Sequence, residues 1–111
     1  MKRGARLVLV MLSAGPLAAV AQPGGAPLDD TALQGMRLFN QSCRVCHTRP
    51  QMTSPQYAPV LSRASLGGQE AALRGFIANG SPRMPGFKHH FKPAQIDAIV
   101  AYIKTIPQPA D

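Results

Sequence analysis

Five consecutive residues, Cys43-Arg44-Val45-Cys46-His47, concentrate the reactive side chains of this sequence. They hold both of its cysteines and one of its three histidines. The C-x-x-C-H order suits covalent attachment of a c-type haem. Two thiols can add across the two vinyl groups of the macrocycle to form thioethers. Those vinyls lie on one side of the ring, so the thiols must stand a short, fixed distance apart, and one helical turn supplies it. His47 follows the second anchor, where its imidazole can reach the iron. Two other chemistries use the same side chains. A redox dithiol also uses C-x-x-C, but in a βαβ setting for which there is no pattern here. A structural zinc site needs four ligands, and His89 or His90 would have to complete Cys43, Cys46 and His47. A disulfide within C-x-x-C would close a very small loop and constrain little of the chain.

The elements that position this motif read as helices. Asp29, Asp30 and Thr31 offer an N-cap and acidic first-turn charge. Leu33, Met36, Phe39 and Cys43 then recur at three- and four-residue steps, which is helical spacing. Gly35 weakens that helix by ~1 kcal/mol relative to Ala, and its expected use is to let another helix approach. Pro50, Pro55 and Pro59 predict a loop over residues 48–60. A second helix is expected over residues 69–79, with Leu73, Phe76 and Ile77 on its buried side and Gly80 as its left-handed stop. Residues 81–91 hold two prolines and a glycine and read as loop. Pro93 opens a last helix whose apolar stripe is Ile96, Ile99, Val100, Ile103 and Ile106. Lys92 precedes it where a capping side chain is usual, so its first turn should be less well satisfied. No segment alternates with period two. The expected fold is all-α, three to four helices around one covalent haem.

The chain has 111 residues, room for one small domain. Lys2, Arg3 and Arg6, the apolar run from Leu7 and the Ala19-Val20-Ala21 triplet together match a secretory signal. The run to Ala21 is 15 residues, short of the ~20 that a spanning helix needs. Cleavage after Ala21, an export step into the periplasm, is therefore expected, with membrane anchoring only if the signal stays uncleaved. The divisions are 1–21 signal, 22–30 flexible lead-in, 31–107 domain and 108–111 tail. The remaining 90 residues have few aromatics and no Trp, a thin core for a chain that short. A centrally packed haem would supply the missing apolar mass. The net charge of +7 falls to +4 without the leader, nine Lys and Arg against five Asp and Glu, and to about +2 with two ionised propionates. No dense basic block with interleaved aromatics remains, which argues against nucleic-acid binding.

From Thr31 to Ile106 the chain resembles the class I cytochromes c, especially small bacterial monohaem members and cytochrome subunits of periplasmic dehydrogenases. The likeness rests on Gly35 and Phe39 ahead of C-x-x-C-H, the loop Tyr57-Ala58-Pro59-Val60-Leu61, the loop Arg83-Met84-Pro85-Gly86-Phe87, and a final helix with Tyr102. It implies that Gly35 and Phe39 lie at the crossing with the last helix near Tyr102. It implies that the Pro59 carbonyl accepts the other imidazole N–H of His47. It implies Met84 as sixth ligand, a role that suits a soft thioether, with Pro85 keeping Met84 out of helical geometry. His89 and His90 are rivals for that position. Met36 reads as core, and Met52 is too near His47 in sequence to reach the opposite face. Family members often place a Trp near a propionate; here Tyr57, Arg63 or Arg83 would have to donate.

The resemblance implies a haem iron protein that is not an enzyme. It would pass single electrons between redox partners, a dehydrogenase donor or an oxidase acceptor. Two alternatives stand beside it: a haem enzyme or gas sensor with a vacant or labile sixth site, and a tightly held relay subunit of a periplasmic dehydrogenase. Arg44, Arg49, Arg83, Lys88 and Lys92 would form a positive rim that steers acidic partners.

Overall fold

Helix α1, Asp30–Ser42, begins where Asp29 accepts a hydrogen bond from the Ala32 backbone N–H at 2.7 Å. This computed structural model describes residues 26–49 and 55–109. The leader, its cleavage point and Met52 lie outside the described residues. After α1 the backbone breaks at Cys43 and one further turn, α2, covers Arg44–His47. Helix α3 is Glu70–Asn79 and α4 is Pro93–Ile103. Among the described residues there is no strand, only an isolated bridge between Ser81 and Met84. The all-α expectation holds.

Helices α1 and α4 cross at Gly35. A Cβ on that glycine would stand 1.8 Å from the Ala98 carbonyl oxygen and 2.9 Å from the Tyr102 Cβ. Only hydrogen fits between the two backbones. One turn on, the Phe39 and Tyr102 rings meet edge-to-face with centroids 5.4 Å apart, a favoured aromatic geometry. The core runs from this crossing through Ile96, Ile99, Val100 and Ile103 of α4 to Leu73 and Ile77 of α3 and to Phe91. Cys43 is buried in the same cluster. The α3 and α4 surfaces are further joined by Arg74 with Asp97 and by Lys104 with Glu70. Exposed pairs of this kind contribute little individually.

Two local expectations need correction. Phe76 is not core but 49% exposed, and it lies on the wall of a cavity beside α3. Helix α4 ends at Ile103, and Ile106 packs on the core from the turn that follows. At the start of α4 Lys92 supplies no capping side chain, as expected, while the Gln95 Oε1 accepts from the Lys92 N–H at 2.9 Å. That is the reciprocal half of a capping box, supplied from inside the helix. An element not expected is a 3₁₀ turn at Ser65–Gly68, in which Leu66, Gly67 and Gly68 all have positive φ.

Candidate functional site

The C-x-x-C-H turn is built by its own backbone. The His47 N–H reaches the Cys43 carbonyl at 3.0 Å, and the Thr48 N–H and hydroxyl both reach the Arg44 carbonyl. Val45, between the cysteines, is 88% exposed. Cys43 faces the core, while Cys46 and His47 line a cavity. The two cysteines are not bonded to each other. Burial, with Cys46 nearby, pushes the Cys43 thiol up to about 11.

His47 Nδ1 lies 2.8 Å from the Pro59 carbonyl oxygen. A carbonyl only accepts, so Nδ1 carries the hydrogen and a neutral imidazole keeps its Nε2 lone pair for a metal. The Pro59 segment is held in place by a residue that the sequence did not single out. The Gln56 side-chain amide donates to the Cys46 carbonyl at 3.2 Å, the Thr48 carbonyl at 3.2 Å and the Ala58 carbonyl at 2.6 Å. It therefore ties the loop to the end of the C-x-x-C-H turn. A lone Gln after a proline carries no local signal for this role, since its acceptors are carbonyls eight and ten residues away.

Met84 is positioned by the end of α3. The Ser81 N–H donates to the Met84 carbonyl at 2.8 Å, and the Met84 N–H returns to the Ser81 carbonyl at 3.1 Å. Gly80 precedes this turn with φ 72° and ψ −163°, open to glycine but not the left-handed helical stop expected. A Cβ on Gly86 would lie 2.7 Å from the Asn79 carbonyl group, so the returning loop lies directly on the helix end. There the Phe87 and Lys88 N–H groups take up the Ile77 and Ala78 carbonyls at 2.9 and 3.0 Å, satisfying orphan acceptors of the last turn.

These segments enclose a cavity of about 570 Å³, within the range of ligand sites. Its wall is largely apolar and includes Val60, Leu61, Leu66, Leu73, Phe76, Ile77 and Ile103. Cys46, His47, Pro59 and Met84 all line it. No Asp or Glu does. Ser62, Ser65 and Gln108 supply polar atoms, so Gln108 of the expected tail returns to the wall. Of the three suggested propionate donors, Tyr57 and Arg83 reach the cavity and Arg63 does not.

A haem fits this donor set. A thiol and an imidazole share an apolar chamber with a thioether, while the second thiol is anchored on the adjacent turn. The zinc alternative finds no support: among the described residues no group of three or more His, Cys, Asp or Glu is arranged to hold a metal ion. His89 and His90 are exposed and do not line the cavity. His90 instead packs edge-on against Phe91, with centroids 4.7 Å apart.

Comparison with known proteins gives an independent view. Residues 30–103 match the family described as cytochrome c oxidase, cbb3-type, subunit III. The cytochrome bc1 complex cytochrome c subunit of Mycobacterium tuberculosis is 34% identical over 91% of this chain and 39% of its own length. That of Mycobacterium leprae is 34% identical over 91% of this chain and 38% of its own. The chain thus spans about two fifths of the mycobacterial relatives it matches. Cytochrome c6 of Nostoc sp. is 32% identical over 65% of this chain and 68% of its own length.

Proposed function

The chain belongs to the cbb3-type cytochrome c oxidase subunit III family and is a monohaem-type cytochrome c, and we propose that it is an exported carrier of single electrons with His47 and Met84 as axial ligands. Its cofactor is a covalently bound c-type haem, and its chemistry is haem-based electron transfer. When bound, the haem supplies a one-electron iron couple.

The residues of the chain do the rest. Cys43 and Cys46 would hold the group through thioethers. His47 would offer Nε2, its ring oriented and its basicity raised by the Nδ1–H bond to Pro59. Met84 would offer a soft thioether, which favours the reduced metal and raises the potential. Two protein ligands leave no open position for a substrate, which favours a carrier over an enzyme or gas sensor. The observation that carries this proposal is the meeting of Cys46, His47 and Met84 on one apolar cavity.

Surface charge bears on the partners. Glu70 and Asp97 are engaged by Lys104 and Arg74. Arg44, Arg49, Arg83, Lys88 and Lys92 are exposed and have no carboxylate partner among the described residues. The resulting positive field would steer acidic redox partners, such as a dehydrogenase donor or an oxidase acceptor. No helix among the described residues is long and apolar enough to cross a membrane. The leader supports a periplasmic location with cleavage after Ala21, which N-terminal sequencing of the mature protein would check. The name of the mycobacterial relatives favours a second arrangement, a relay subunit held in a larger complex; copurification with such a complex would distinguish it from a free shuttle.

The decisive measurement is the optical spectrum of the exported protein, oxidised and reduced, with a pyridine haemochrome assay. Met84→Ala should lower the reduction potential and open the iron to added imidazole. An unchanged spectrum and potential in that variant would remove Met84 as ligand. Colourless protein after maturation in a competent periplasm would remove the haem assignment altogether.

A further inference from the structure

We propose that Tyr57 and Arg83 form a clasp across the cavity that keeps the Met84 thioether in its bound position, an inference that rests on the His47 and Met84 ligation above. The Arg83 guanidinium carbon lies 5.1 Å from the centroid of the Tyr57 ring, within cation–π range. Both side chains line the cavity, from segments that among the described residues share no backbone hydrogen bond with each other. Neither belongs to the core: Tyr57 is 58% exposed and Arg83 is exposed. Arg83 has no carboxylate partner among the described residues.

Each half of the pair is rigidly joined to one side of the site. Arg83 is in the turn closed by the two Ser81–Met84 backbone bonds, so a displacement of Arg83 is transmitted to its neighbour Met84. Tyr57 follows Gln56, whose amide is anchored on the Cys46 and Thr48 carbonyls. The contact therefore ties the loop bearing the sixth ligand to the turn bearing the cysteines and His47. The α3 end holds the Met84 loop from behind, at Phe87 and Lys88; the clasp holds it from the cavity side. Tyr57 and Arg83 are positioning residues here, acting through Met84.

The test uses imidazole as a probe on the oxidised holoprotein. Imidazole can bind the iron only when the Met84 sulfur has left, so its apparent affinity reports the open fraction. Loss of an exposed cation–π contact should raise that affinity about two- to fivefold. Tyr57→Leu and Arg83→Gln should each show this rise, and the double variant should show no more than either single one. Tyr57→Phe removes the hydroxyl suggested as a propionate donor but keeps the ring, so its imidazole affinity should match wild type if the clasp sets the Met84 position. Circular dichroism should stay unchanged in all four, because both side chains lie outside the core, and the melting temperature should fall by no more than the few degrees equivalent to that fold-change. Wild-type affinity in Tyr57→Leu, additive effects in the double variant, or a Tyr57→Phe protein that behaves like Tyr57→Leu would each overturn the clasp alone. Absence of the thioether–iron absorption band from the wild-type protein would overturn the Met84 ligation, and the clasp with it.

Discussion

Gly75 and Gly80 stand at and just beyond the C-terminal half of α3, and one added methyl should move the protein in opposite directions at the two sites. Gly80 has φ 72° and ψ −163°, a region essentially reserved for glycine, so any other residue there costs about 1–3 kcal/mol. Its new Cβ would lie 2.3 Å from the Met84 carbonyl oxygen, 2.6 Å from the Gly86 nitrogen and 2.7 Å from the Pro85 carbonyl carbon. All three are backbone atoms, so no side chain can rotate away. Overpacking of this kind adds about 1–3 kcal/mol, for a total of about 2–6 kcal/mol. The load falls on the Met84 loop, whose return to α3 rests on the Phe87 and Lys88 N–H bonds. A loop so held yields before the α1–α4 core does. The expected result for Gly80→Ala is a displaced Met84 in a folded protein. The assay is imidazole titration of the oxidised holoprotein beside its thioether–iron absorption band. The band should weaken, and the affinity for imidazole should rise at least about tenfold, the equivalent of 1.4 kcal/mol. Gly75, by contrast, has nothing within 4 Å of its would-be Cβ and lies within a helix. Gly75→Ala should leave the band alone and stabilise by about 0.4–1 kcal/mol, or roughly 2–8 °C for a domain of this size. A Gly80→Ala protein with the wild-type band and affinity would refute the claim that this glycine sets the Met84 position.

Three further outcomes are expected. Gly35→Ala should push α1 off α4 and cost at least about 1–3 kcal/mol, read as a loss of several degrees in melting temperature, because the clash at 1.8 Å is with the Ala98 carbonyl oxygen. Gln56→Ala should cost about 1 kcal/mol and loosen the Pro59 carbonyl from His47, making the imidazole a weaker donor and so raising the reduction potential while the haem stays covalently attached. Glu70 has a carboxyl held below its ordinary value of 4.5 by the hydrogen bond from Lys104 and that residue's charge, with a smaller effect from Arg74. A carboxylate lowered in the folded state stabilises the fold above its unfolded pKa, and that stabilisation is lost as pH falls through the folded one. Melting curves should therefore fall more steeply below pH ~4.5 in wild type than in Glu70→Gln, by a small margin because the pair is exposed.

How far the sequence could be read depended on the range of the interaction. The C-x-x-C-H turn was legible because its spacing is set within one helical turn, and Gly35 because a glycine facing a helical stripe has few other uses. Asp29 and Pro93 marked helix starts through purely local chemistry. Gln56 was not legible, since nothing about a glutamine names the carbonyls it will meet. The Arg83–Tyr57 contact was likewise hidden, because it joins two loops distant in sequence. Leu66 was a local miss of another kind: Gly67 and Gly68 announce a turn, but not that the leucine before them also takes positive φ.

Phe76 and Leu66 show why helical periodicity alone misjudged the core. Apolar residues at core spacing are ordinarily covered by protein, and on that ground Phe76 belonged with Leu73 and Ile77. It is left 49% exposed, and Leu66 46%, and both lie on the wall of the same cavity. Leu66 moreover holds φ 52°, a conformation that costs a non-glycine residue about 1 kcal/mol or more. A small chain gains nothing from placing two large apolar side chains toward water, one of them strained, unless another apolar surface covers them. A covalent haem held by Cys46 and His47 and facing Met84, as proposed above, would be such a surface. On that account the amphipathic pattern of α3 was legible, but it described a core of which the polypeptide provides only one side.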